Sequence, residues 1–86
     1  MKQYNKILAC IRMLEVYGTR VGEPVVKHIE DDIWELRPLS HRVLFFYWRN
    51  NRFILLHHFI KKTNKTPLRE LEKARRNKKD HLERNK

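Results

Sequence analysis

The chain has 86 residues, with 20 Lys or Arg against 10 Asp or Glu and a formal net charge of +10 at pH 7. A chain this short forms one domain and buries only about 60% of the surface it exposes when unfolded, and this charge points to a polyanionic partner: RNA, DNA, an anionic membrane or an acidic protein. The single Cys10 excludes an internal disulfide framework and a Cys-based zinc site, and it suits a reducing cytoplasm.

Met1 to Leu14 mixes charge with apolar residues and offers no secretory signal, and no stretch approaches the roughly 20 apolar residues of a membrane span. A cytoplasmic protein with no membrane partner is expected. Residues 3–17 read as an amphipathic helix, because Tyr4, Ile7, Leu8, Ile11 and Leu14 recur at three- and four-residue steps. Gly18 sits where a helix can end in the left-handed conformation. Residues 19–24 hold Gly22 and Pro24 and read as loop.

Ile33 to Pro38 is a strand, with Trp34 and Leu36 on an apolar side and Ile33, Glu35 and Arg37 on a mixed one. After a turn at residues 38–40, His41 to Arg49 and Arg52 to Ile60 are two runs rich in β-branched and aromatic residues. Asn50-Asn51 between them reads as a two-residue turn. That turn sets Arg49 opposite Arg52, Tyr47 opposite Ile54, Phe45 opposite Leu56 and Val43 opposite His58 on one face. The other face pairs Trp48 with Phe53, Phe46 with Leu55, Leu44 with His57 and Arg42 with Phe59. Both faces are largely apolar and need cover.

Lys61 to Thr66 is a basic loop, with Thr66 placed to cap a helix and Pro67 suited to its first position. Residues 67–84 then form a helix with Leu68, Leu71 and Ala74 or Arg75 at contact spacing. Beyond Ala74 the one apolar residue is Leu82, so this end is expected to be solvated, frayed or held by a partner. Residues 61–86 carry eleven bases and four acids, a net +7 that supplies most of the field. The fold class is α+β: an N-terminal helix, a three-stranded antiparallel meander and a C-terminal helix in one domain over 1–86.

The runs I-W-E-L-R-P, H-R-V-L-F-F, L-L-H-H-F-I-K-K-T-N-K-T-P and R-E-L-E-K-A closely resemble the phage-related, HigB-like branch of the RelE/ParE toxin superfamily, as does V-G-E-P-V-V-K-H-I-E before the strand. The resemblance covers residues 7 to 80. It implies a RelE-like fold and the toxin of a type II toxin–antitoxin pair, an mRNA endoribonuclease acting at the ribosome without metal or other cofactor. It also implies mRNA and ribosomal RNA as partners and neutralisation by a cognate antitoxin, often of helix-turn-helix type. Such toxins open with a further strand and helix, so the chain reads as shortened at its N-terminus.

Cleaving RNA through its own 2′-hydroxyl needs a base, fixed cations at the phosphate and an acid for the leaving oxygen. Arg42 matches the arginine that contacts the scissile phosphate in such toxins; its bland alternative is a snorkelling strand-end arginine. Arg37 is a second phosphate candidate, or an ordinary solvent-facing residue. Lys61, Lys62 and Lys65 suit an electrostatic clamp, with Lys61 a candidate base. His81 is a candidate acid or base because relatives place a His or Tyr near their C-terminus; otherwise it belongs to a polar helix end. Of the neighbours His57 and His58, the register puts His57 on the face of Arg42, although a hydrogen-bonded sheet histidine is its ordinary reading. Arg75, Arg76, Lys78 and Lys79 suit ribosomal RNA phosphates, or form a solvated helix face. The five histidines make no metal motif. Two other functions fit the same residues: a non-catalytic module that binds RNA or an antitoxin, and a gyrase inhibitor as in the ParE branch.

Overall fold

A computed structural model describes residues 2–49 and 52–85 of the chain, with side chains from residue 5 onward. The elements are α1 (Lys2–Tyr17), a short 3₁₀ turn (Gly18–Val21), β1 (Val26–Glu30), β2 (Ile33–Leu36), β3 (His41–Trp48), β4 (Arg52–Ile60) and α2 (Leu68–Arg84). The four strands form one antiparallel meander in the order β1-β2-β3-β4. The α+β architecture agrees with the sequence, but the sheet has four strands rather than three.

The added strand is β1. Its residues Val-Lys-His-Ile-Glu bury one side chain, Val26, and break their ladder with a bulge between His28 and Glu30, so no period-two alternation marks it. Its place is set by the hairpin through Asp31 and Asp32. Asp31 has φ of 43°, a left-handed value that Asp accepts more readily than most residues.

Each face of the sheet carries one helix. On the α1 side, Val26, Leu36, Val43 and Phe45 pack with Leu14. Ile11 and Cys10 are half-buried there and Leu8 is exposed, so the helix turns its stripe slightly away from the expected one. On the α2 side, Ile33, Leu44, Phe46, Leu56 and Phe59 pack with Leu71 and Ala74. Burying such side chains stabilises by about 1.5–3 kcal/mol each. Leu68, expected in this stripe, is exposed.

The β3–β4 register agrees with the sequence reading for Arg42–Phe59, Val43–His58 and Leu44–His57, and departs from it beyond that point. A bulge follows Leu44, after which Phe45 faces Leu55, Phe46 faces Ile54, Tyr47 faces Phe53 and Trp48 faces Arg52. The expected Arg49–Arg52 opposition therefore does not form. The physical reason is that both faces of β4 are apolar, so alternation carries no register information. The extra residue, Leu56, is buried with the α2-side core. The expected Asn50-Asn51 turn and the Tyr4 side chain lie outside the described residues.

The C-terminal helix is held along its length by its own sheet. Arg75 makes two hydrogen bonds to the Glu30 carboxylate, at 2.7 and 2.5 Å, and Lys78 pairs with Asp32. The Asn77 amide donates to the Leu56 carbonyl at 2.7 Å. Polar docking replaces the missing apolar stripe, which is why apolar periodicity gave this end no place on the sheet. None of the described helices is long and apolar enough to cross a membrane.

Candidate functional site: a cationic sheet end around a buried carboxylate

Three parts of the chain meet where β2 ends and β3 begins. Glu35 stands in phase with Ile33 on the α2 side of β2, and the residue is 3% exposed. A carboxylate this deep must be paired and hydrogen-bonded. Thr66 Oγ1 donates to Glu35 Oε2 at 2.8 Å. Arg37 Nε and Arg42 Nε lie 3.5 and 3.7 Å from Glu35 Oε1. Thr66 therefore does not cap α2, as the sequence led us to expect. Pro67 is the N-cap, and it makes no side-chain cap bond. A buried carboxylate is the stronger acceptor for that hydroxyl.

Arg42 is 6% exposed. Its Nη1 donates to the carbonyls of Leu39 at 2.9 Å and His41 at 2.7 Å, so the guanidinium curls back over the strand end. Leu39 holds φ of 55° in that turn, a left-handed value that aims its carbonyl at the arginine. Burial lowers the Arg42 pKa, neighbouring Arg37 lowers it further, and Glu35 opposes both. Arg37 is the more accessible of the two. Its Nη1 reaches Glu23 Oε1 at 3.4 Å, while its buried Nε makes no hydrogen bond among the described residues.

The basic loop arrives at this point from the far strand. The Lys61 amide donates to the Ser40 carbonyl at 2.8 Å, next to the turn that holds Arg42. Lys61 is half-buried, and Lys62 and Lys65 are exposed. The backbone of Lys61 thus meets the turn that holds Arg42, with Lys62 and Lys65 further along the same loop. The Glu35 carboxylate pairs with Arg37 and Arg42 and accepts the hydroxyl of Thr66 at the loop's end.

The same sheet end carries three histidines. His57 faces the α2 side, as expected, where its Nε2 lies 2.7 Å from Glu70 Oε1. That hydrogen bond is the main cause lowering the Glu70 pKa, with Lys73 and Arg69 adding to it and burial opposing. On the α1 side, His41 Nδ1 and His58 Nε2 are 3.0 Å apart with their rings stacked. Burial, then His41 and His57, lower the His58 pKa.

The expected grouping of Arg42, Arg37, Lys61 and His81 is divided. The His81 ring centroid is 4.6 Å from that of Trp48 and 5.9 Å from that of Phe46, and its Nε2 is buried with no hydrogen-bond partner among the described residues. Trp48 and Arg42 stand at opposite ends of β3, about 20 Å apart at the usual rise of a strand. His81 faces that far end because the last turns of α2 run past Trp48. A cleft of about 680 Å³ beside it is lined by Glu30, Ile33, Arg75, Lys79 and Leu82, and none of Arg37, Arg42 and Lys61 contributes to it.

The basic run on α2 divides as well. Arg75 and Lys78 are neutralised by Glu30 and Asp32, whereas Arg76 and Lys79 are exposed and make no ion pair among the described residues. Those two stand three apart and so share a helix face. Among the described residues no three His, Cys, Asp or Glu side chains are grouped to hold a metal ion.

Sequence reasoning missed Glu35, Thr66 and the His41–His58 pair. Glu35 left a usable signal, since an acid in phase with Ile33 on a strand buried on both faces demands a cationic partner. The other two left none, because they depend on which loop crosses which strand.

Fold and site together define a small, basic α+β domain whose strongest cationic feature is one end of its sheet. The chain belongs to the phage-derived Gp49-like protein family (DUF891), whose model matches residues 1–79, and this family is linked to the RelE-like toxins of toxin–antitoxin systems. No curated protein matches it.

Proposed function

We propose that the chain is the toxin of a toxin–antitoxin pair and acts as an endoribonuclease on mRNA at the ribosome, with an antitoxin as its neutralising partner. One observation carries this reading: Glu35 gathers Arg37, Arg42 and the loop of Lys61, Lys62 and Lys65 at a single sheet end. Fixed cations held by a scaffold stabilise charge that grows on a phosphate without reorganising. In this reading Arg37, Lys62 and Lys65 grip the ribose–phosphate link, and Lys61 borders it. Arg42 sets the geometry of the turn and offers its Nη2, which makes no hydrogen bond among the described residues. Arg76 and Lys79 hold ribosomal RNA by position and charge. His81 stands outside the reacting centre.

A second reading, a module that binds RNA or an antitoxin without cutting, is favoured by the burial of Arg42. The arginine expected at the scissile phosphate is already committed to Glu35 and two carbonyls. Translation-dependent cleavage separates the two. Ribosomes translating a labelled mRNA are mixed with the protein and the 5′ ends of fragments are mapped. Cleavage that falls in Arg37→Ala and in a Lys61/Lys62/Lys65→Ala variant supports the toxin reading. Intact mRNA alongside salt-sensitive RNA binding supports the second.

A further inference from the structure

We infer that the outer edge of β4, with the apolar groove beside it, takes an extended, acidic segment of a partner protein as a fifth strand. This rests on the toxin reading above only in naming the antitoxin as the protein that carries the segment.

The sheet ends in two edges, β1 and β4, and they differ. β1 has five residues and a bulge, which blunts it against pairing. β4 has nine, and from Phe53 to Ile60 it holds no proline, lysine or arginine. Among the described residues its backbone has partners on β3 and, at the Leu56 carbonyl, in the Asn77 side chain, and no other element hydrogen-bonds to it. Beyond the bulge at Leu56, residues 57–60 pair with β3 in unbroken register, so their outward backbone groups offer a regular ladder to a new strand.

Beside that edge is a groove of about 430 Å³, lined by Ile7 and Ile11 of α1 and by Leu55, Leu56, His57 and His58 in succession. Leu55 and His58 belong to the α1 face of β4, whereas Leu56 and His57 belong to the α2 face. A hollow that touches both faces of one strand runs past its free side, because β3 closes the other. The groove therefore follows the edge itself. Leu55 is 50% exposed, and Ile60 on the same face is 58% exposed. Together they give a partner's apolar side chains a place to pack.

The charge around the edge selects the occupant. Residues 41–62 hold five bases and no acid. Arg42 is buried on Glu35, and the other four, Arg49, Arg52, Lys61 and Lys62, flank the edge at its two ends. Of the acids at its margins, Glu70 is engaged by His57 and Lys73, and Glu15 stands with Arg52 at the far end. A second copy of this chain, paired edge to edge, would set bases against bases. An RNA strand would meet apolar walls where its phosphates need donors. A segment with apolar side chains toward the groove and Asp or Glu at its ends satisfies backbone, groove and charge together. A strand laid on residues 57–60 ends against Lys61 and Lys62. Its acidic end therefore withdraws from RNA two of the loop cations proposed to hold it.

The probes are capped peptides of about twelve residues: Val alternating with Glu, Val alternating with Lys, and the Val–Glu peptide N-methylated throughout so that it cannot form a ladder. Fluorescence anisotropy gives affinity and hydrogen exchange gives the place of binding. The Val–Glu peptide should bind wild type, slow amide exchange at residues 57–60 and weaken as salt rises. The other two peptides should bind about tenfold or more weakly, and so should the Val–Glu peptide on Leu55→Lys. Leu55 is half exposed and stands apart from the cationic group, so Leu55→Lys should fold and cut mRNA like wild type. No binding of the Val–Glu peptide at millimolar concentration, equal binding of the Val–Lys peptide, or protection away from β4 overturns the inference. So does a wild-type dimer in sedimentation whose β4 amides are protected without peptide. Cleavage is read separately: a chain that cuts mRNA but fails these tests leaves the toxin reading standing, and one that passes them without cutting leaves the surface standing and removes the toxin reading.

Discussion

Arg42→Met and Glu35→Gln, made singly and together, measure how far the buried pair holds the sheet end. Breaking a buried ion pair by removing one partner costs about 3–5 kcal/mol, because an uncompensated charge remains. For Arg42→Met the carboxylate keeps Arg37 at 3.5 Å and the Thr66 hydroxyl at 2.8 Å, which points to the lower end, about 3 kcal/mol. Glu35→Gln leaves the 6%-exposed Arg42 with two carbonyls and no carboxylate, and should cost about the same. The double variant removes both charges, so its cost should fall short of the sum by about 2 kcal/mol. A domain of 86 residues is stable by about 4–13 kcal/mol, so both single variants stay measurable at low temperature. Urea unfolding followed by the fluorescence of Trp34 and Trp48 and by circular dichroism gives the four stabilities. A coupling below about 0.5 kcal/mol would refute the pairing. The double variant also keeps the wild-type net charge, so any loss of mRNA cleavage in it reports the geometry of the site and not a weaker field.

Three further outcomes follow from the same structure. Replacing Arg76 or Lys79 by Ala should each lower the slope of log affinity against log salt by about 0.7–0.9 on RNA, whereas Arg75→Ala and Lys78→Ala should change it less, because Glu30 and Asp32 already neutralise those charges; fluorescence anisotropy across a salt series reads both, and equal slopes would contradict the division. Gly18→Ala should destabilise by about 1–2 kcal/mol, since Gly18 has φ of 63° and an added Cβ would meet Tyr47 Oη at 2.9 Å, and Tyr47→Phe in the same chain should recover part of the drop in melting temperature. The Glu70 pKa is lowered by the His57 hydrogen bond, and a depressed folded pKa means a contribution fully present above the ordinary carboxylate value of about 4.3 and lost as pH falls through the folded value; the urea midpoint should therefore drop below about pH 4.3 in wild type and fall less steeply there in His57→Asn.

The parts of the fold that were legible from sequence are those whose pattern repeats. The stripe through Ile7, Ile11 and Leu14 marked α1, and the aromatic runs marked β3 and β4. Gly18 marked a helix end and carries the left-handed φ that such an end uses. What was not legible lacked a period. β1 buries one residue of five and takes its place from β2. The bulge that admits Leu56 sits beside a run, Phe53 to Leu56, in which every side chain is apolar enough to face either side. The second half of α2 is docked by Arg75, Lys78 and Asn77, polar residues that a hydrophobic pattern assigns to solvent.

For the candidate site, residue type was legible and company was not. Arg37, Arg42 and Lys61 stood out because phosphate chemistry needs such groups. That the two arginines share Glu35, and that Thr66 reaches it from 31 residues downstream, depends on the path of the loop after β4, which no local pattern encodes. His81 failed to join them for a related reason: a position near the chain's end says nothing about which end of the sheet a helix passes.

A net charge of +10 invites the view that every base serves a polyanion, and the structure argues for a narrower use. Along α2 the bases fall into two sets. Arg75 and Lys78 point to the acidic β1–β2 turn and fasten the helix to the sheet, while Arg76 and Lys79 point to solvent. Lys73 turns to Glu70. At the sheet end Arg42 is spent on Glu35 and the turn, leaving Arg37 and the lysines of the loop as the accessible cations. Acid and base are therefore arranged so that some cations build the scaffold and the others remain for a partner. Charge-reversing the scaffold cations should loosen the helix before it weakens RNA binding, and reversing the others should do the opposite; variants in the two sets that behaved alike would show that the field acts as a whole and that the pairing along α2 has no functional consequence.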